Sequence, residues 1–263
     1  MNEAVPTDKS LGQHWLSDDD VLADIVAAAD VTTDDTVLEI GPGPGTLTKH
    51  LVVAAGQVVA VEFDQKLASE LPTRVNADNL QVVQSDILRF DLTKLPPDYV
   101  VVANIPYYLT SKLVRVLSES SNQAKTVVLL VQKEVAERIA APAGQMSLLS
   151  VSAQFYWQVE LDSVVPATLF TPPPKVDSQV VVMHRIDGGK FSVDQSVFFR
   201  LVKAGFSARR KTLQNSLAGG LRISREAAGE LLEAADLSPT ARPQELSLDD
   251  WHRLYQAYTA KQK

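Results

Sequence analysis

The strongest constraint on this chain is a succession of short apolar runs, each separated from the next by a helical pattern or a turn. TVLEI (36–40), QVVAVEF (57–63), LQVVQSD (80–86), YVVVANIP (99–106) and KTVVLLVQ (125–132) are near-continuous in Val, Leu and Ile. Strands that alternate apolar and polar residues face water on one side. Continuous runs suit strands buried on both faces, as in a parallel sheet with helices on each side. Helical patterns fill the gaps. A first helix is predicted over 18–29, with Ser17 as N-cap, Asp20 three residues on, and Val21, Leu22, Ile25, Val26 and Ala29 on one face. Others begin near Thr46, run from Gln65 to about Leu71, and span 110–120. The expectation is an α/β fold with a doubly wound, Rossmann-like sheet.

The pattern changes after residue 150. FYWQVELDSVV (155–165) and VDSQVVVMHRI (176–186) look like two strands around the Pro-rich stretch PATLFTPPPK, an antiparallel addition to the sheet. Gly188-Gly189 is a natural linker. Beyond it every pattern is helical: roughly 194–217, 224–235 and 248–260, the last opened by Ser247 and Asp250 as a capping box. The sequence thus divides into a sheet domain, 1–188, and a small all-helical domain, 189–263.

Charge follows the same division. The whole chain, 263 residues long, has a net charge of −7, which by itself argues against a polyanionic partner. Residues 1–188 carry 13 basic and 24 acidic side chains, whereas 189–263 carry 12 basic and 8 acidic. Between Phe198 and Arg225 stand Arg200, Lys203, Arg209, Arg210, Lys211, Arg222 and Arg225, with no acid among them. A merely solvated helix face usually alternates its signs for i,i+4 pairing, so this run is a candidate phosphate-binding patch. There is no Cys, which excludes disulfides and thiol chemistry. The four His lack metal-ligand spacing, so no metal site is expected. The polar start and the lack of a long apolar run give no sign of a leader or membrane span, and a cytoplasmic protein is expected.

The first apolar run leads into Gly41-Pro42-Gly43-Pro44-Gly45-Thr46. A glycine loop between a strand and a helix lets a ligand approach the backbone closely. The spacing is G-x-G-x-G, with Thr46 where a dinucleotide loop wants its third glycine. The two prolines also remove N–H donors that a pyrophosphate would need. A nucleoside-type ligand fits better. Glu62 closes the second strand, where a carboxylate can accept from both ribose hydroxyls, and Asp86 closes the third, where it can accept from an adenine amine. Each alone is an ordinary strand-end acid. Together, beside the loop, they mark the crevice where open α/β sheets bind ligands.

The fourth strand ends Asn104-Ile105-Pro106-Tyr107. That motif, with the glycine loop, resembles the class I methyltransferases that use S-adenosylmethionine to alkylate exocyclic amines of bases. An adenine amine is a poor nucleophile because its lone pair is delocalised into the ring. An Asn oxygen and a backbone carbonyl accepting its two N–H groups would favour the pyramidal amine, and Tyr107 can stack on an extruded base. Such catalysis is chiefly alignment.

Three further segments narrow the resemblance: Ser10–Leu16 (SLGQHWL), Val165–Ser178 and Phe206–Ser216. They are similar to the small-subunit (16S) rRNA adenine-N6,N6-dimethyltransferases, the kasugamycin-resistance family, from about Ser10 to Tyr258. The resemblance implies that His14, Leu16, Gly41, Gly43, Gly45, Glu62, Asp86 and Asn104 contact the cofactor. It implies Phe170 as a second aromatic wall beside Tyr107, and a helical tail, Arg209, Arg210 and Lys211 included, that engages rRNA. The reaction implied is dimethylation of two adjacent adenines near the 3′ end of the small-subunit rRNA during assembly, and a monomer is the default expectation for a chain that docks on so much larger a particle. One departure stands out: the family usually has Asn where this chain has His14. Other readings stay open, namely a large-subunit (23S) rRNA adenine methylase and an assembly factor with vestigial catalysis. A nicotinamide-dependent dehydrogenase fails on the glycine spacing.

Overall fold

The computed structural model describes residues 14–208 and 210–262. Two compact units emerge, one of residues 1–137 with 158–185, the other of residues 138–157 with 186–263.

The first unit is built on a seven-stranded sheet. Its parallel strands are β2 (Thr36–Ile40), β3 (Gln57–Glu62), β4 (Leu80–Gln84), β5 (Val100–Asn104) and β6 (Thr126–Gln132). Two more, β7 (Trp157–Val165) and β9 (Ser178–Arg185), complete the spatial order β4-β3-β2-β5-β6-β9-β7. β9 runs antiparallel to β6, as the change of pattern after residue 150 predicted. The order reverses between β2 and β5, and this switch point opens the crevice at the carboxyl ends of the strands.

Both faces of β2, β3, β5 and β6 are buried, which is why those runs show no alternation, whereas β4, at the sheet's edge, is only partly covered. Val37, Val58, Val100, Val102, Val128 and Leu130 share a core with Leu22 and Ile25 of α1 (Asp19–Ala28) and with Leu47 and Leu51 of α2 (Thr46–Ala54). The intervening residues Leu38, Val59, Val101, Ala103, Val127 and Leu129 are buried as well. α3 (Gln65–Val75) and α4 (Thr110–Glu119) bury Leu67, Leu71, Leu113 and Leu117, and α5 (Lys133–Ile139) follows β6 directly.

Several local expectations shift. Asp18, not Ser17, caps α1, accepting from the Val21 N–H at 3.1 Å. α3 continues through Pro72 to Val75, because Asp64 secures its start with two backbone hydrogen bonds and the proline comes only in its last turn. A short antiparallel pair went unpredicted: β1 (Trp15–Leu16) aligns with β8 (Phe170–Thr171), Leu16 opposite Phe170.

The second unit is helical and starts earlier in the chain than Gly188-Gly189 suggested. It takes in α6 (Leu148–Tyr156), whose last two residues, Phe155 and Tyr156, open the run expected as strand over 155–165. Ser147 and Ser150 close a capping box, and that box, rather than any apolar period, makes LLSVSAQFY a helix. Redrawing the boundary moves one cation, Arg138, and one acid, Asp187, so the units keep net charges of −11 and +4. The single helix expected over 194–217 is two, α7 (Gln195–Gly205) and α8 (Leu213–Leu221). A Cβ at Gly205 would fall inside the Trp251 ring, and Phe206 packs 5.6 Å from it, so tertiary packing ends α7 there. α9 (Arg225–Ala234) and α10 (Leu248–Ala260) follow, with the Ser247–Asp250 box as predicted.

Candidate active site

The crevice at the strand ends encloses a cavity of about 260 Å³ whose wall includes His14, Leu16, Gly41, Gly43, Glu62, Asp86, Asn104, Tyr107 and Phe170. All the expected site residues of the sheet unit meet there except Gly45. That glycine, in the left-handed region at φ +88°, caps α2, and a Cβ on it would meet Leu71 and Val75 of α3. Its smallness serves helix packing, not ligand approach. Gly43 divides its role: its φ is +56° and a Cβ there would lie 2.5 Å from the Trp15 ring. Only at Gly41, φ +66°, would a Cβ project into open space.

Glu62 is 6% exposed, and both its oxygens are held. Oε2 accepts from the Gly43 N–H at 3.0 Å and Oε1 from the Asp64 N–H at 2.9 Å. Burial raises its carboxyl above the ordinary value, against the pull of these two donors. The glycine loop and the strand-end acid are thus one hydrogen-bonded unit. Asp86 anchors its own loop, Oδ1 accepting from the Leu88 N–H at 3.0 Å.

A third acid, not anticipated as a site residue, lies beneath the loop. Glu39 is 1% exposed, lines the cavity, and leaves Oε2 without a hydrogen-bond partner. Burial pushes its carboxyl up to about 8, Thr48 beside it works weakly the other way, and the charge of Glu62 adds to the rise. At neutral pH Glu39 therefore holds its proton. It sits directly before Ile40 and the loop, and an acid inside an otherwise apolar strand is the signal that marks it.

Asn104 ends β5 with its side-chain amide free of protein partners among the described residues. Tyr107 stands on the short turn Tyr107–Leu109, its hydroxyl 2.9 Å from the Ser178 hydroxyl of β9. Ser178 is 71 residues away in sequence, and no local pattern foretells that contact. His14 lies stacked on Tyr107, ring centres 6.0 Å apart, and its Nδ1 is 2.7 Å from the Pro172 carbonyl. The carbonyl can only accept, so Nδ1 carries a proton. Phe170, 3% exposed, belongs to the core as well as to the cavity wall. Phe63, 61% exposed, adds an aromatic face beside Glu62 that the sequence reading passed over.

In the helical unit, Arg210 and Lys211 are exposed on the loop between α7 and α8, and Arg209 lies outside the described residues. The run is not a single helix face. Arg200 donates to the Tyr258 hydroxyl at 2.8 Å and lies over its ring, while Arg222 closes α8 and Arg225 opens α9.

The family model described as ribosomal RNA adenine dimethylase matches residues 6–260. The ribosomal RNA small subunit methyltransferase A of Dehalococcoides mccartyi is 42% identical, over 95% of this chain and 88% of its own length. Its namesake from Clostridioides difficile is 38% identical over 92% and 88%. Among solved structures, a dimethyladenosine transferase from Plasmodium falciparum superposes with a TM-score of 0.82 at 28% identity, covering 95% of this chain and 98% of that one. The 23S rRNA methyltransferase ErmE gives 0.74 at 29%, covering 92% and 98%. A doubly wound sheet with a glycine loop, strand-end acids and Asn-x-Pro-Tyr in one cavity, matched from residue 6 to 260, places the chain in the ribosomal RNA adenine dimethylase family.

Proposed function

We propose that the protein transfers methyl groups from S-adenosylmethionine to N6 of two adjacent adenines near the 3′ end of 16S rRNA. The product is N6-dimethyladenosine, formed during 30S assembly in the cytoplasm by a monomer. Family membership makes it an rRNA adenine methyltransferase. Relatives at 38–43% identity that carry the small-subunit name support that substrate over large-subunit rRNA.

The single observation that carries the reading is the meeting of Asn104 and Tyr107 with Glu62 and Asp86 in one cavity. The cofactor's nucleoside fits the wall. Gly41 offers no Cβ, Glu62 is a fixed acceptor for ribose hydroxyls, and Asp86 accepts from an adenine amine. The orphaned Oε2 of the protonated Glu39 is a buried polar atom in that wall that a hydrogen-bonding group of a ligand would satisfy. When bound, S-adenosylmethionine supplies an electrophilic methyl on a sulfonium. The chain supplies alignment. Asn104 accepts from the target amine and draws its lone pair out of conjugation, while Tyr107, pinned by Ser178, presents a fixed face to the base. Phe170 closes the far side. The helical unit, with Arg209, Arg210 and Lys211, binds rRNA phosphates.

Incubation with labelled S-adenosylmethionine and either unmethylated small subunits or large-subunit rRNA tests this. Label on the small subunit, with two dimethyladenosines by mass spectrometry, is expected. Label on large-subunit rRNA alone would overturn the substrate, and label on neither would leave an assembly factor without catalysis.

A further inference from the structure

The cavity's rim holds an aromatic side chain that the proposed chemistry does not use. Tyr108 follows Tyr107 and lines the same cavity, yet it is 65% exposed. Its backbone is not loose. The Leu109 N–H donates to the Pro106 carbonyl at 3.0 Å, the Thr110 hydroxyl donates to the Tyr107 carbonyl at 3.2 Å, and the turn runs straight into α4. A large ring held rigidly in water at a cavity mouth gains most from a flat partner laid on its face.

Lys112, four residues on, also lines the cavity and is exposed. It occupies the first turn of α4, which has no acid in that turn and no side-chain cap. A cation there opposes the helix macrodipole. Arg115 on the same helix is paired with Glu119 at 2.9 Å, whereas Lys112 has no carboxylate partner among the described residues. An unpaired ammonium at the positive end of a helix is a place for an anion. Exposed ring and unpaired cation, one helical turn apart on the same rim, match the two parts of a nucleotide.

We propose that Tyr108 and Lys112 clamp the nucleotide adjoining the one whose base enters the cavity, the ring stacking on the neighbouring base and the ammonium pairing with its phosphate. This rests on the rRNA adenine reading above and adds a substrate requirement to it. A purine neighbour stacks best, so the clamp favours targets flanked by a second purine. With two adjacent adenines, one is the clamped neighbour while the other occupies the cavity, and when the clamped one enters in turn the nucleotide beyond it takes its place. Tyr108 and Lys112 are positioning residues, acting on the substrate beside the reacting base.

The test uses the full-length protein and a hairpin of the small-subunit 3′ end carrying the two adenines. Without cofactor, fluorescence anisotropy should show Tyr108→Ala binding the hairpin about five- to a hundredfold more weakly, the range for losing one stacked base. Tyr108→Phe should restore affinity, because the stacking face is kept. Lys112→Ala should flatten the salt dependence and Lys112→Arg restore it. On unmethylated subunits, Tyr108→Ala should raise KM for the rRNA with kcat and calorimetric cofactor affinity held. Replacing one adenine of the pair by a pyrimidine should weaken wild-type binding and leave Tyr108→Ala unaffected. If wild type methylates the subunits but Tyr108→Ala binds and turns over like wild type, the clamp is overturned and the activity stands. A fall in kcat alone would also overturn it, since that marks a disturbed Tyr107. If wild type labels no rRNA, the activity falls and the clamp with it.

Discussion

The cavity of the sheet unit and the cationic run of the helical unit carry charge in opposite ways. Glu39 and Glu62 are 1% and 6% exposed and set among apolar strands, and both have raised carboxyl pKa values. Arg210 and Lys211 stand in water on a loop, with no ion-pair partner among the described residues. Buried charge is costly to hold and therefore geometrically exacting. Exposed charge costs little and acts over distance, but it is screened by salt. The first arrangement suits recognition of one small molecule, and the second suits a long polyanion. Each expectation below separates the two.

The largest effect belongs to the cavity. Asn104→Ala should lower single-turnover methyl transfer to small subunits by about a hundred- to a thousandfold, as for other preorganised contacts to a reacting group. Binding of rRNA should change little, because in the proposal Asn104 touches only the reacting amine, while phosphates are met by Lys112 and by the helical unit. A loss of rRNA affinity matching the loss of rate would erase the contrast between the regions.

Next is the cost of the buried acid. Glu39 titrates near 8 when folded and near 4.5 when unfolded, so between those values the native state keeps a proton that the unfolded chain releases. Its contribution to stability is fully present below pH 4.5 and is lost as pH rises towards 8, on the order of a few kcal/mol. Glu39→Gln keeps the shape and removes the titration. Thermal denaturation from pH 5 to 8.5 should therefore show the variant gaining on wild type as pH rises. Parallel profiles would mean that Glu39 is already ionised.

The two regions also differed in how far the sequence disclosed them. Strand ends are set by apolar runs a few residues long, so Glu62, Asp86 and Asn104 could be placed at one edge of a sheet before any coordinates. The glycine loop falls between strand and helix as its sequence indicates, but Gly45 lies outside the cavity and two of the glycines answer to packing. Gly45 answers to Leu71 and Val75, and Gly43 to Trp15, contacts between segments far apart in the chain. The Tyr107–Ser178 and His14–Pro172 contacts are of the same kind. In the helical unit the errors were larger, since Gly205 and Trp251 end α7 by packing while the local pattern runs on to 217. α6 was hidden because its apolar residues give no clean period and its start depends on a pair of serines.

Gly205→Ala probes that tertiary stop. The added methyl must displace Trp251, which is fully buried, so urea unfolding should show a loss of about 1–3 kcal/mol. Gly41→Ala, whose methyl meets no protein atom, should weaken cofactor binding through the open space it fills while adding backbone strain at φ +66°. Equal effects of the two on calorimetric cofactor affinity would show that the distinction between packing glycine and ligand glycine is false.

The smallest effect tests the exposed side of the comparison. Arg210→Ala with Lys211→Ala removes two cations that nothing in the described protein pairs. If they meet phosphates, each releases a condensed counterion on binding, and the slope of log affinity against log salt falls by about 0.7–0.9 per contact. Two contacts give a slope change of roughly 1.5. Between 50 and 200 mM salt, wild type should then lose roughly tenfold more affinity for rRNA than the double variant does. Cofactor affinity and melting temperature should stay put, because the loop contributes neither a cavity wall nor a buried side chain at these positions. An unchanged salt slope would make the loop a solvated surface. The rRNA would then have to be held by the other cations of the run, of which Arg200 is already engaged with Tyr258 and Arg222 and Arg225 sit at helix ends.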